Sequence, residues 1–254
     1  MFEDLFLRVA SERLDREAAA IARLDAAPEV YISAEKLKEF SPRRLAATRR
    51  ILADFSAHTV HAPFIDIWPG AGDEDVRQLS LDKMRRTMEI ASSLGSRLVV
   101  MHFNYDPIYY RQHFERWLDR AARFYQILLA ESDGPLIALE NIAEPTPYVA
   151  LQLMNRADRP RLVHCFDFGH HHVFARIPAE EWLFYLAPRR HIHFHLHDNF
   201  GANDDHLPLG EGTIDWQAAR AAIAGLDCPF SITLEPHSAP GLRTAAANYK
   251  RIFA

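Results

Sequence analysis

Short apolar runs alternate along the chain with longer segments in which apolar residues recur every three or four positions, and no linker or low-complexity stretch interrupts them. The first pattern belongs to buried strands and the second to helices with one core-facing side. It predicts strands at 5–9, 30–32, 59–64, 98–103, 136–139, 162–166, 192–196 and 232–234. Helices are predicted between and after them, at 12–24, 42–55, 81–94, 114–130, 148–155, 180–186, 216–224 and 244–253. Punctuation agrees with several of these bounds. Ser41-Pro42 places proline in a first helical turn, Gly95 suits a left-handed C-terminal cap, and Asp133-Gly134-Pro135 turns the chain into the fifth strand.

Strands alternating with helices in this number imply parallel pairing through right-handed crossovers. The simplest closed arrangement is an α/β fold of the (β/α)8 barrel type, one domain over residues 1–254. An open doubly wound sheet is the alternative, but the first strand-to-helix turn carries no glycine-rich phosphate loop. Barrel enzymes assemble their sites from the C-terminal ends of strands, so that is where candidate chemistry belongs.

The seventh strand draws attention first. His191, His193, His195 and His197 fall on one face of an alternating segment, with Ile192, Phe194 and Leu196 on the other. Asp198, Asp204 and His206 follow, then the turn Gly210-Glu211-Gly212. Imidazoles and carboxylates gathered where a strand ends are what a divalent cation such as zinc or manganese asks for. A His-rich solvated loop is the plain alternative. The other strand ends add to the pattern: His61-Ala62-Pro63-Phe64, His102-Phe103-Asn104, Glu140-Asn141, Asp167-Phe168-Gly169-His170 and Glu235-Pro236-His237. Taken singly, each is explained as a rim residue bonded to backbone or solvent. Converging on one mouth, the carboxylates would repel one another unless cationic charge lay among them.

Composition narrows the classes. A hydrophobic fraction of 48% can build a sizeable core, and a net charge of −5 argues against an electrostatic grip on nucleic acid. Cys165 and Cys228 have neither disulfide-framework nor CxxC spacing. The N-terminus carries acids where a signal peptide carries bases, and no apolar stretch approaches the ~20 residues of a membrane helix. The expectation is a cytoplasmic protein without membrane contact; a homo-oligomer is left open.

With these strand ends the chain resembles the xylose isomerase-like barrel superfamily, which contains sugar and sugar-phosphate isomerases and epimerases and also endonuclease IV. The resemblance covers nearly the whole chain. Its most specific pieces are the HAPF stretch at 61–64, LEN at 139–141, DFGH at 167–170, HLHD at 195–198 and HLPLGEG at 206–212. In the isomerase and epimerase branch it implies one cation held by Glu140, Asp167, His195 and Glu235. In the endonuclease branch it implies three zinc ions. His61, His102 and Glu140 would hold the first, Glu140 would bridge to a second bound by Asp167, His195 and Glu235, and His170, Asp204 and His206 would hold the third.

Two chemistries follow from that likeness. The first is isomerisation or epimerisation of a small carbohydrate, free or phosphorylated, through an enediolate stabilised by one divalent cation, with Glu140 and Glu235 as the acid/base pair. Phe64, Trp68, Tyr105 and Phe200 would wall the pocket, and His170 would touch substrate. Epimerases of this group often hold substrate hydroxyls with an arginine after strand seven; this loop offers Asn203, Asp204, Asp205 and His206 instead, leaving Arg111 and Arg176 as the nearest phosphate anchors. The second is hydrolysis of a phosphodiester or phosphate by hydroxide at a multi-zinc centre. The full nine-residue set, which would take the count from one ion to three, favours it; the acids Asp73-Glu74-Asp75 after the third strand disfavour a DNA duplex. A metal-binding scaffold without activity is a third reading.

Overall fold

The computed structural model describes residues 5–131, 133–186 and 191–253. Strands β1 (Leu5–Ala10), β2 (Ala27–Tyr31), β3 (Thr59–His61), β4 (Leu98–His102), β5 (Leu136–Glu140), β6 (Leu162–Asp167), β7 (Ile192–Leu196) and β8 (Phe230–Leu234) close into one parallel barrel in sequence order. The closure is made by β1 against β8, with Leu5, Phe6 and Leu7 opposite Ile232, Thr233 and Leu234. The expected barrel is therefore observed.

Helices α1 (Leu14–Ala22), α2 (Ala34–Leu37), α3 (Pro42–Leu52), α4 (Glu74–Leu94), α5 (Pro107–Tyr110), α6 (Phe114–Ala130), α7 (Tyr148–Ala157), α8 (Phe168–Phe174), α9 (Ala179–Leu186), α10 (Trp216–Ala224) and α11 (Ala239–Phe253) lie along the chain between and after the strands, with a 3-10 turn at Arg111–His113. Outward strand residues such as Val9, Val99, Leu139 and Phe194 join buried helix residues, among them Trp117, Trp182 and Tyr125, in one continuous core. Leu98, Val100, Ala138, Val163 and Cys165 form a smaller separate cluster. No helix among the described residues is long and apolar enough to cross a membrane.

The bounds at 114–130, 192–196 and 216–224 agree with expectation, and other differences have local causes. Strand β3 stops at His61 rather than 64 because Pro63 has no N–H to give a neighbour and forces the chain out of the ladder after Ala62. Helix α4 starts at Glu74, not 81: the Asp73 side chain accepts hydrogen bonds from the N–H groups of Asp75 and Val76 at 2.8 and 3.3 Å. Asp73, Glu74 and Asp75 are thus the cap and first turn of a helix, where negative charge meets its positive end. They are not an acidic loop facing a ligand, and their weight against nucleic acid falls accordingly. Ser41 and Gly95 cap as expected, Gly95 with φ +81°. The short helices α2, α5 and α8 were not anticipated.

Candidate metal centre

Side chains alternate along a strand, so residues two apart share the barrel interior. This sends Glu29, His61, His102, Glu140, Asp167, His193, His195 and Glu235 inward, and all eight are buried. Register then levels them: His102 stands opposite Glu140, and Asp167 opposite His195. Each of the strands from the third to the eighth delivers one of them at its C-terminal end.

Glu140 is the hub. Its Oε2 lies 2.9 Å from His102 Nε2 and 3.3 Å from His61 Nε2, while Oε1 lies 3.1 Å from His195 Nδ1 and 3.5 Å from His170 Nδ1. His195 Nδ1 also faces Glu235 Oε1 at 3.3 Å and Asp167 Oδ2 at 3.9 Å. Burial works to raise the Glu140 carboxyl, but the charges of His195 and His102 hold it well below the usual range. Burial likewise works to lower His195, and neighbouring anionic groups including Glu235, Glu140 and Glu29 keep it well above its ordinary value.

A second cluster centres on Asp204. Its Oδ2 lies 3.1 Å from His206 Nε2 and 3.3 Å from His170 Nε2, and its Oδ1 lies 3.5 Å from His197 Nε2. Backbone carbonyls fix both of the first two rings. His170 Nδ1 donates to Asn141 O at 2.9 Å and His206 Nδ1 to Glu235 O at 2.8 Å, so each ring aims Nε2 at Asp204, donating to it when protonated and free to turn a lone pair to a cation when not. Asp167 is both cluster member and helix cap, since its Oδ1 accepts the His170 N–H at 2.7 Å at the start of α8. His206 sits in the left-handed region at φ +49°, a strained setting for a non-glycine residue of the kind found where function fixes geometry.

Asp198, adjacent to this cluster, does a different job. Its Oδ1 accepts from the N–H groups of Asn199 and Ile214, and its Oδ2 from Gly210 N–H and the Trp216 indole. All its lone pairs are used, so it is the staple of the loop that carries Asp204 and His206. The glycines of the turn follow from this: Gly210 takes φ +82°, and a Cβ on Gly212 would run into Asp198 Oδ1 and Asn199 O.

The donors suit a divalent cation. Among the described residues, Glu140 Oε2, Asp167 Oδ2, Glu235 Oε1, His102 Nε2 and both ring nitrogens of His197 are buried with no hydrogen-bond partner. Each such orphan costs about 1–3 kcal/mol. Yet His61, His102 and Glu140 offer ligand atoms all within 4.8 Å of one another, and so do His170, His197, Asp204 and His206. Groups gathered this closely with buried atoms left unsatisfied among them are placed for a common partner, and this mixed nitrogen and oxygen set fits zinc or manganese.

A model of the xylose isomerase-like TIM barrel family matches residues 19–252. The chain belongs to that family. The crystal structure of a D-tagatose 3-epimerase-like protein superposes with a TM-score of 0.82 at 25% identity, covering 98% of this chain and 96% of that one. The TTHB071 protein of Thermus thermophilus, from a crystal soaked with ZnCl2, superposes with a TM-score of 0.78 at 24% identity, over 98% and 97% of the two chains; at that identity the likeness speaks for the fold. The uncharacterised protein MJ1311 of Methanocaldococcus jannaschii is 34% identical over 170 residues, a match spanning 62% of this chain and only 56% of that protein.

Around this xylose isomerase-like centre the aromatic residues expected to line a pocket divide. Phe64 stacks on His102 with centroids 4.6 Å apart. Tyr105 packs edge-on against Trp117 and Phe114 at 4.8 and 5.6 Å, as part of the rim. Phe200 is exposed, Trp68 is half-buried, and Arg111 and Arg176 are exposed. Asn104, at φ +47°, holds the loop of Phe64 and Trp68 by donating to Phe64 O and Ile67 O.

Four residues at the centre were not singled out as site residues from sequence. His197 reaches Asp167 Oδ1 at 3.1 Å, and Gly169 leaves the space its ring occupies. Arg8 places Nη1 3.5 Å from Glu235 Oε2 with its guanidinium 4.8 Å over the Tyr31 ring. Glu29 lies beneath His195, and Glu144 is buried enough for its carboxyl to be pushed up to about 7. A charge inside a strand pattern was the available signal for Arg8 and Glu29, and the alternation from His193 was the signal for His197.

Proposed function

We propose that this chain is a divalent-cation-dependent isomerase or epimerase of a small sugar or sugar phosphate. One observation carries the reading: buried carboxylate oxygens of Glu140, Asp167 and Glu235, the last two without a hydrogen-bond partner among the described residues, gather around His195 Nδ1 at the C-terminal mouth of the barrel. The likeness to a D-tagatose 3-epimerase-like protein over almost the full length of both chains supports it.

Glu140, Asp167, His195 and Glu235 would hold the cation, which when bound supplies positive charge to a carbonyl and its neighbouring hydroxyl. Glu140 and Glu235 face the same His195 nitrogen at 3.1 and 3.3 Å, one from β5 and one from β8. They are placed to remove a proton from one side of a substrate carbon and return one to the other. Arg8 helps keep Glu235 ionised against the effect of burial, which suits a proton acceptor. Phe64 shields the His102 side from water, and Trp68, Tyr105 and Phe200 supply the outer wall.

A second reading, a phosphodiesterase or phosphatase using several zinc ions, is favoured by the His61–His102–Glu140 and His170–Asp204–His206 clusters on either side. Metal analysis and a substrate panel separate the two. One cation per chain, with activity on ketoses or their phosphates, is expected. Three tightly held zinc ions with turnover of phosphate esters or abasic DNA would replace the first reading by the second. Glu235→Gln should also abolish solvent-deuterium exchange into an accepted sugar; exchange at the normal rate removes Glu235 as the base.

A further inference from the structure

Glu29 is a fully buried charge in the barrel interior. It sits mid-strand in β2, one layer below the carboxylates of the mouth. An isolated carboxylate there would cost several kcal/mol, so its surroundings must answer it. Oε2 is answered by hydroxyls: Thr59 and Thr233 each donate to it at 2.9 Å, and His193 Nε2 lies at 3.1 Å. His193 is in turn fixed by Ser231, 2.7 Å from its Nδ1. Those contacts leave Oε1 facing His195 Nε2 at 3.1 Å. Neither atom has a hydrogen-bond partner among the described residues, so the grip at this distance is electrostatic.

His195 therefore lies between two anionic layers. Its Nε2 looks down at Glu29, and its Nδ1 looks up at Glu140, Glu235 and Asp167. A carboxylate oxygen accepts and never donates, so both nitrogens can hold protons in the metal-free ring, Nδ1 toward Glu140 Oε1 at 3.1 Å and Nε2 toward Glu29. A cation on the Nδ1 side would displace the first proton and leave the second facing Glu29. We propose that Glu29 is a positioning residue for the metal centre: it holds the His195 proton on Nε2 and so presents the Nδ1 lone pair to the cation. The inference rests on reading Glu140, Asp167, His195 and Glu235 as a cation site. It explains why β2, which supplies none of the nominated ligands, carries a buried acid at all. It also explains the threonines of β3 and β8, which hold Oε2 and keep the carboxylate from swinging away. A carboxylate behind a ligating histidine typically changes metal affinity by about 10–100-fold.

The test uses the full chain with ZnCl2 or MnCl2 as the probe. Calorimetric titration should show Glu29→Gln binding about 10–100-fold more weakly than wild type. Thr59→Val, which removes one donor to Oε2 but leaves Oε1 facing His195, should lower thermal stability and leave affinity within about twofold, well short of that loss. Nitrogen-15 NMR of histidine-labelled, zinc-loaded wild type should show His195 protonated at Nε2 and ligating through Nδ1, a readout that does not depend on any variant folding. Wild-type affinity in a folded Glu29→Gln protein, or zinc on His195 Nε2, overturns the proposal while the cation site stands. Failure of the wild type to bind either ion overturns both.

Discussion

Asp198→Asn is the substitution whose cost is best read from the coordinates. The native carboxylate receives Asn199 N–H at 2.9 Å and Ile214 N–H at 3.2 Å on one oxygen, and Gly210 N–H and Trp216 Nε1–H at 2.8 Å each on the other. An asparagine keeps one oxygen and replaces the other by NH2, whose hydrogens meet two donors whichever way the amide turns. Two charge-assisted bonds vanish, each worth about 1.5–3 kcal/mol, for a loss of about 3–6 kcal/mol. In a domain of this size each kcal/mol lowers Tm by about 2–4 °C, so circular dichroism should record a fall of roughly 6 °C or more. Because the stapled loop carries Asp204 and His206, the contacts of Asp204 with His206 and His170 should loosen, while cation binding at Glu140, Asp167, His195 and Glu235 should be retained. Hydrogen exchange at the Trp216 indole and the Gly210 amide should accelerate. A variant melting within about 2 °C of wild type, with both hydrogens still protected, refutes the staple.

Gly169→Ala should destabilise by overpacking, about 1–3 kcal/mol, because its Cβ falls inside the His197 ring. That ring cannot retreat: it stacks on His206 at 3.8 Å, and His206 on His237 at 3.8 Å. His197→Ala in the same protein should restore much of the lost Tm; no restoration sinks the account. Arg8→Gln removes a charge that keeps Glu235 ionised, so the Glu235 pKa should rise and the acid limb of the pH–rate profile move to higher pH; an unmoved limb separates the two residues. In the metal-free protein, burial works to lower His170 but Asp167 and Asp204 carry it up to about 10. The folded value lies above the unfolded one, so its stabilisation is complete below about pH 6.5 and lost as pH rises toward 10. Thermal melts from pH 6 to 10 should fall without added metal, and a flat profile contradicts this.

Much of the barrel was legible because strand and helix periods are written in the positions of apolar residues, and parallel crossovers leave few ways to close such an alternation. The convergence of acids and histidines at the strand ends was legible because strand termini are marked by the turn residues that follow them. Other features were not, and for a common reason. Asp198 looks like a ligand in sequence, since nothing in HLHD says that its lone pairs will be claimed by Gly210, Ile214 and a tryptophan further along. Glu29 and Arg8 read as single charges in short strands. Their meaning comes from closure, which sets β1 beside both β2 and β8. Helix α8 was missed because its start depends on Asp167 acting as a cap as well as a strand end.

Closure also changes one piece of electrostatic reasoning. Acids crowded at a barrel mouth need cationic charge, but the charge need not come from a metal. Here burial opposes ionisation of Glu140, Asp167 and Glu235, yet all three are held below their usual range by the histidines and Arg8 around them, while His170, His195 and His206 are held above theirs. Protons on imidazole rings therefore balance the metal-free site. A cation entering it must displace those protons, because a ligating nitrogen needs its lone pair. Metal binding should then release protons and tighten as pH rises. Calorimetry in buffers of different ionisation enthalpy counts the protons, and an affinity independent of pH between 6 and 9 shows that the histidines do not hold the metal.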